Sequence, residues 1–258
     1  MHPAYVDTHL ARLSAGASGD TGDLFMHVGY WDDPERAGGR DELALAQRRL
    51  NDVLLALADV RDGMSVLDAG CGFGATLKAI DTGRRNMRLF GLCNDPRQID
   101  LARRAMPHLG WIEADACDIP LPGGEFDRIL AIECAFHFPS RRRFLAEAAR
   151  LLRPGGRLAL SDFVAGPGSG DPDAHEALLE AFGPWPDPWF EEGGYDDLAR
   201  ASGLRVASRE DATARTLPTY RCVLQSPADA MARPVLALQK LLERRVMRME
   251  FLALDKPG

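Results

Sequence analysis

Between Met64 and Leu77 the chain reads M-S-V-L-D-A-G-C-G-F-G-A-T-L, an apolar run followed by three glycines at alternate positions. The run around Val66 and Leu67 suits a buried strand, and the residues after Gly74 can open a helix. Glycines at Gly70, Gly72 and Gly74 allow a tight turn and leave bare main chain against which a ligand can lie. The helix start beyond them offers N–H groups with no intrahelical partner. A strand, glycine turn and helix in this order belong to an α/β nucleotide-type site. The spacing, however, is not the G-x-G-x-x-G that seats a pyrophosphate. Asp68 stands just before the first glycine, where its charge repels a phosphate and attracts an ammonium.

Strand and helix patterns alternate along the rest of the chain. Strands are predicted at Met87–Cys93, Leu109–Glu113, Phe126–Ile132, Arg157–Val164, Leu204–Asp211 and Met247–Leu254. Helical spacing runs over Leu43–Val60, Arg141–Leu152, Tyr195–Ser202 and Ala228–Arg245. Residues 153–156, R-P-G-G, read as a sharp turn before the fifth strand. A length of 258 residues accommodates one such domain with a cap. We divide it into an N-terminal lid segment (1–42), a core (43–164), a cap insertion (165–195) and a C-terminal completion of the sheet (196–258). The cap carries Trp185, Trp189 and Phe190 among prolines, aromatic walls that suit a flat or greasy small molecule as well as simple packing.

Several motifs, taken in order, resemble the class I S-adenosylmethionine-dependent methyltransferases of the small-molecule type. They are D-A-G-C-G-F-G at 68–74, N-D-P-R-Q at 94–98, A-D-A at 114–116, E-C-A-F-H-F-P at 133–139 and L-R-P-G-G-R-L-A-L-S-D-F at 152–163. The resemblance implies a Rossmann-like, doubly wound sheet of seven strands, mostly parallel with one antiparallel strand, plus a helical and aromatic cap. It implies S-adenosylmethionine as cofactor, S-adenosylhomocysteine as product and no metal. It places Asp68 on the ammonium, Gly70, Gly72 and Gly74 along the cofactor, Gln98 at the ribose, and Asp115 and Ala116 at the adenine. Tyr30, in the aromatic segment M-H-V-G-Y-W, falls near the methionine end. Many relatives carry an acid at the end of the second strand; this chain has Cys93 there and Asp95 two residues on, so Asp95 suits either a cofactor contact or a helix N-cap.

His137 is the expected general base, since an ordinary imidazole accepts a proton near neutral pH and the resembled O-methyltransferases use a histidine of this segment. Asp162 is expected to orient His137 or to bind the acceptor, and Glu133 to hold the cofactor or shape the acceptor pocket. Oxygen methylation of a specialised metabolite is the leading expectation. Carbon methylation of a prenyl or aromatic acceptor, or a methylation-triggered cyclisation, is the alternative; a nicotinamide enzyme is disfavoured by the glycine spacing, and a non-methylating protein of the same fold is the remaining class.

A net charge of −7 argues against nucleic acid as the main partner, because phosphate binding needs clustered Lys and Arg. The run Arg141-Arg142-Arg143 reads as an ordinary solvated helix face. Five cysteines, Cys71, Cys93, Cys117, Cys134 and Cys222, show no C-x-x-C pair, which predicts reduced thiols and a cytoplasmic location. No apolar stretch is long enough to span a membrane, and no signal-peptide pattern is visible.

Overall fold

The computed structural model describes residues 6–7, 10, 24–36, 40–168, 194–223 and 232–258. Among them seven strands form one sheet: β1 (Ser65–Ala69), β2 (Arg88–Cys93), β3 (Gly110–Glu113), β4 (Phe126–Ile132), β5 (Leu152–Ala165), β6 (Arg205–Asp211) and β7 (Met247–Asp255). Their spatial order is β3-β2-β1-β4-β5-β7-β6. The first five pair in parallel, and β7 lies antiparallel between β5 and β6. This is the expected doubly wound sheet with its reversed final strand.

The helices are α1 (Arg40–Leu57), α2 (Ala75–Gly83), α3 (Pro96–Ala105), α4 (Arg141–Leu151), α5 (Gly194–Ala201), α6 (Thr213–Thr216), α7 (Pro218–Val223) and α8 (Ala232–Glu243). Period-two alternation splits the strand residues between two helical layers. Leu67, Ile129, Leu158 and Leu160 pack with Phe144 and Leu145 of α4 and Tyr195 of α5. Val66, Leu130 and Ala159 pack on the other face with Leu77 and Ile80 of α2. Near β7, Leu50 and Leu54 of α1 join Met249, Phe251 and Tyr220. Leu67 and Leu158 have no exposed surface, so truncating either to Ala costs about 2–5 kcal/mol.

Two local expectations change. The R-P-G-G segment lies inside β5 as a bulge, because Leu152 pairs with Phe126 and the ladder resumes only at Arg157 opposite Arg128. Helices α6 and α7 fill Thr213–Val223, for which the sequence showed no pattern. No described helix is long and apolar enough to cross a membrane. All five cysteines are buried and outside any disulfide.

Candidate active site

The parallel strands end on one edge of the sheet, and the residues following β1, β2, β3 and β4 meet there. After β1 the chain reverses: the N–H groups of Gly70 and Cys71 both donate to the carbonyl of Leu92, at 2.7 and 3.0 Å. Gly70 has φ +79°, and a methyl group on it would stand 2.7 Å from both Cβ and Sγ of Cys134. Only glycine meets both conditions at this turn. Gly74 caps α2 without a side-chain hydrogen bond, so the helix start presents main chain to the edge. A cavity of about 80 Å³ opens beside this loop, lined by Met26, His27, Asp68, Gly70, Gly72 and Glu133 among others.

Asp68 is 3% exposed, and burial alone pushes its carboxyl up to about 7. No described cation forms an ion pair with it. A buried carboxylate in this position lacks the positive partner that would keep it ionised. An ammonium group would supply that partner. Gln98 stands beside the same loop, its Oε1 3.6 Å from where a Gly72 side chain would begin. This Oε1 is buried and accepts no hydrogen bond from the described residues, while Nε2 lies 3.5 Å from Asp95 Oδ2. An orphaned acceptor and an orphaned acid beside bare glycine fit a ligand carrying hydroxyls and an ammonium, as the amino-acid and ribose ends of S-adenosylmethionine do.

Asp95 is the N-cap of α3, accepting from the Arg97 N–H at 3.0 Å, and it is clamped by the Arg97 guanidinium at 3.0 and 2.7 Å. Its carboxylate is thereby engaged in holding the loop and steadying Gln98. Asp115 receives the Cys117 N–H at 2.8 Å, which forms the turn after β3, and Ala116 behind it is buried.

Glu133, the residue after β4, is held in the left-handed region at φ +48°. Its N–H donates to Ser161, and its Oε1 accepts the Val28 N–H at 3.0 Å. Burial pushes its carboxyl up to about 8. A non-glycine residue held with this backbone marks a place that the surrounding structure over-determines. His137 closes the following turn, with its ring 4.3 Å from that of Phe136. Burial and the nearby Arg141 charge lower it to about 4, so the imidazole is neutral at physiological pH. Asp162 is fully buried, with Oδ2 2.6 Å from Nε of Arg141 and 2.7 Å from the Tyr195 hydroxyl. It forms a buried ion pair with Arg141, and no contact with the expected partner His137 is seen among the contacts described.

A strap formed by residues 24–31 crosses this edge. Gln47 donates to the carbonyls of Phe25 and His27 at 3.1 and 2.6 Å. Thr219 Oγ1 accepts from the Gly29 N–H at 2.9 Å and from the Trp31 indole at 3.0 Å. The strap falls within the segment expected as a lid, and Tyr30 does not line the cavity: its hydroxyl donates to Glu210 at 3.2 Å, and the Arg215 guanidinium lies over its ring. Met26 and His27, a few residues earlier, face the cavity instead.

The family profile described as a methyltransferase domain matches residues 67–160. The methyltransferase GfsG of Streptomyces halstedii is 36% identical over 82% of this chain and 76% of its own length. The chain belongs to the class I S-adenosylmethionine-dependent methyltransferases. An O-methyltransferase of Pyrenophora dematioidea is 38% identical over 61% of this chain, an alignment that spans 60% of the fungal protein. In fold, the geranyl diphosphate C-methyltransferase of Streptomyces coelicolor A3(2) superposes with a TM-score of 0.80 at 17% identity, covering 93% of each chain.

In this methyltransferase the profile match covers the core from within β1 to within β5, the strands whose ends build the site. Among the expected residues, Asp68, Gly70, Gly72 and Glu133 share one cavity, and Gln98 abuts its glycine loop. Trp185, Trp189 and Phe190 lie outside the described residues. Sequence reasoning passed over Met26, His27 and Thr219 as site residues, and it read Arg141 as part of a solvated helix face. The M-H-V-G-Y-W run did signal the strap, although its aromatic residues drew attention from the histidine.

Proposed function

We propose that this methyltransferase methylates a hydroxyl group of a small specialised metabolite, with His137 as the general base, in the cytoplasm. When bound, S-adenosylmethionine supplies a methyl group on a sulfonium, an electrophile that needs no further activation. Asp68 holds the ammonium, Gln98 the ribose, and Asp115 with Ala116 the adenine. The observation that carries the oxygen reading is a neutral imidazole at His137, on the turn that begins at the cavity-lining Glu133. A neutral ring accepts the hydroxyl proton as the new C–O bond forms; an imidazolium has no lone pair to do so.

Alignment of acceptor and methyl group can supply about 7–11 kcal/mol of the barrier. A positioned base adds about 10²–10⁴-fold. The rate therefore depends first on how the strap and the glycine loop hold the two reactants. The name of the Pyrenophora relative, an O-methyltransferase, supports the oxygen reading.

Glu133 favours a second reading, carbon methylation. It lines the cavity itself, and burial raises its carboxyl. There the ionised form of Glu133 would take the proton that the acceptor loses once its carbon has been methylated. Transfer of isotopically labelled methyl groups to a panel of hydroxylated polyketides, phenols and sugars tests the proposal, with the labelled position assigned by NMR. Label on oxygen is expected. Label on carbon selects the second reading, and no transfer to any hydroxyl acceptor rejects the first.

A further inference from the structure

The strap carries a second polar group facing the cavity that neither reading uses. His27 is 8% exposed, and its Nδ1 lies 2.8 Å from the carbonyl oxygen of Val28. A carbonyl only accepts, so Nδ1 carries the proton and Nε2 keeps its lone pair. That Nε2 is buried and has no hydrogen-bond partner among the described residues. Burial lowers the ring to about 4, which keeps it neutral. A buried acceptor without a donor is costly, and such groups in native structures are ordinarily satisfied, by protein, water or ligand.

The ring's direction is fixed by the protein around it. Gln47 holds the His27 carbonyl, Glu133 holds the next N–H, and the Phe25 ring lies 5.0 Å away. The lining of the same cavity includes Asp68, an acid without a described cation. An ammonium brings three N–H donors. One carboxylate satisfies part of that set and balances the charge, and the remaining donors need acceptors that add no further charge. A neutral imidazole lone pair is such an acceptor.

We infer that Nε2 of His27 is a second acceptor, beside the Asp68 carboxylate, for the α-ammonium of S-adenosylmethionine and S-adenosylhomocysteine. The inference rests on the assignment of this cavity to the cofactor. The strap thereby takes a direct part in binding, because the amino-acid end of the cofactor is recognised by residues of two separate segments, Asp68 of β1 and His27 of the strap. Strap and cofactor then stabilise each other's position.

Calorimetry with two probes tests this without any methyl acceptor. S-adenosylhomocysteine carries the amino-acid group; 5′-methylthioadenosine has the same adenosine and a thioether without it. His27→Phe keeps the ring volume against Phe25 and removes the lone pair. It is expected to weaken S-adenosylhomocysteine about 5–20-fold and to leave methylthioadenosine within twofold. His27→Gln, which returns an acceptor oxygen, recovers part of the loss. An equal loss for both probes, or no loss for either, overturns the inference while the cofactor reading stands. A wild-type protein that binds neither probe overturns the cofactor reading and the inference with it.

Discussion

Nε of Arg141 lies 2.6 Å from Oδ2 of Asp162, with neither side chain exposed to solvent. The guanidinium also donates to the Phe163 carbonyl at 3.1 Å, and the Tyr195 hydroxyl shares Oδ2. One ion pair thus fastens the start of α4 and the helix α5 to β5 beside the site. Removing one partner leaves a buried charge without compensation. Asp162→Ala should therefore destabilise the fold by about 3–5 kcal/mol, read as a lower midpoint in urea unfolding. A variant that unfolds at the wild-type midpoint would overturn the structural role of this ion pair.

The glycine loop gives a prediction with an internal control. Gly70 and Gly155 both have positive φ, +79° and +76°. Gly155 has open space where a side chain would go, whereas Gly70 faces Cys134 at 2.7 Å. Gly155→Ala should cost only the backbone term, about 1–2 kcal/mol, with binding unchanged. Gly70→Ala adds an overpacking cost of about 1–3 kcal/mol and pushes the loop out of place. Its affinity for S-adenosylhomocysteine should fall by more than tenfold, measured by calorimetry beside the Gly155 variant.

The sheet and the glycine loop were legible because their signals are local. An apolar run, a change of period and a glycine at a strained turn each act within a few residues. The misreadings come from long-range relationships. Thr219 matters because it accepts two hydrogen bonds from a strap 190 and 188 residues away, and nothing in L-P-T-Y-R announces that. The basic run at 141–143 reads as a solvated face, yet Arg141 is wholly buried because Asp162 waits for it on another element. Tyr30 sits in the right segment, but the strap's register, pinned by Ala46 and Thr219, turns it toward Glu210 and brings His27 to the cavity.

Two acids in one cavity make both stability and binding depend on pH. Burial raises Asp68 from 3.8 to about 7 and Glu133 from 4.5 to about 8. The folded state therefore keeps protons that the unfolded chain has lost between those values. Stability of the ligand-free protein should fall as pH rises from about 4 to about 8. Binding runs the other way, because an ammonium prefers an ionised Asp68. Affinity for S-adenosylhomocysteine should rise about tenfold between pH 6 and pH 8, with proton release detected in buffers of different ionisation enthalpy. Asp68→Asn should weaken binding and flatten the dependence. A pH profile that survives this substitution would assign the proton to Glu133.

His137 and Glu133 separate oxygen from carbon as the methyl acceptor. Under the proposed oxygen mechanism a hydroxyl must lose its proton as the methyl group arrives, and His137, a neutral ring on the turn after β4, is the residue proposed to take it. His137→Ala should then lower kcat by about 10²–10⁴-fold. Affinity for S-adenosylhomocysteine should stay within twofold, since this imidazole is not among the residues lining the cofactor cavity. Carbon methylation needs a base only after the C–C bond has formed. Glu133→Gln removes that base and keeps an oxygen to accept from the Val28 N–H, so the strap remains tied. Under the oxygen mechanism Glu133→Gln should cost less in kcat than His137→Ala; under the carbon mechanism the order reverses. Measuring both variants with the substrate identified by label transfer decides between them, and full activity in His137→Ala would remove the oxygen mechanism.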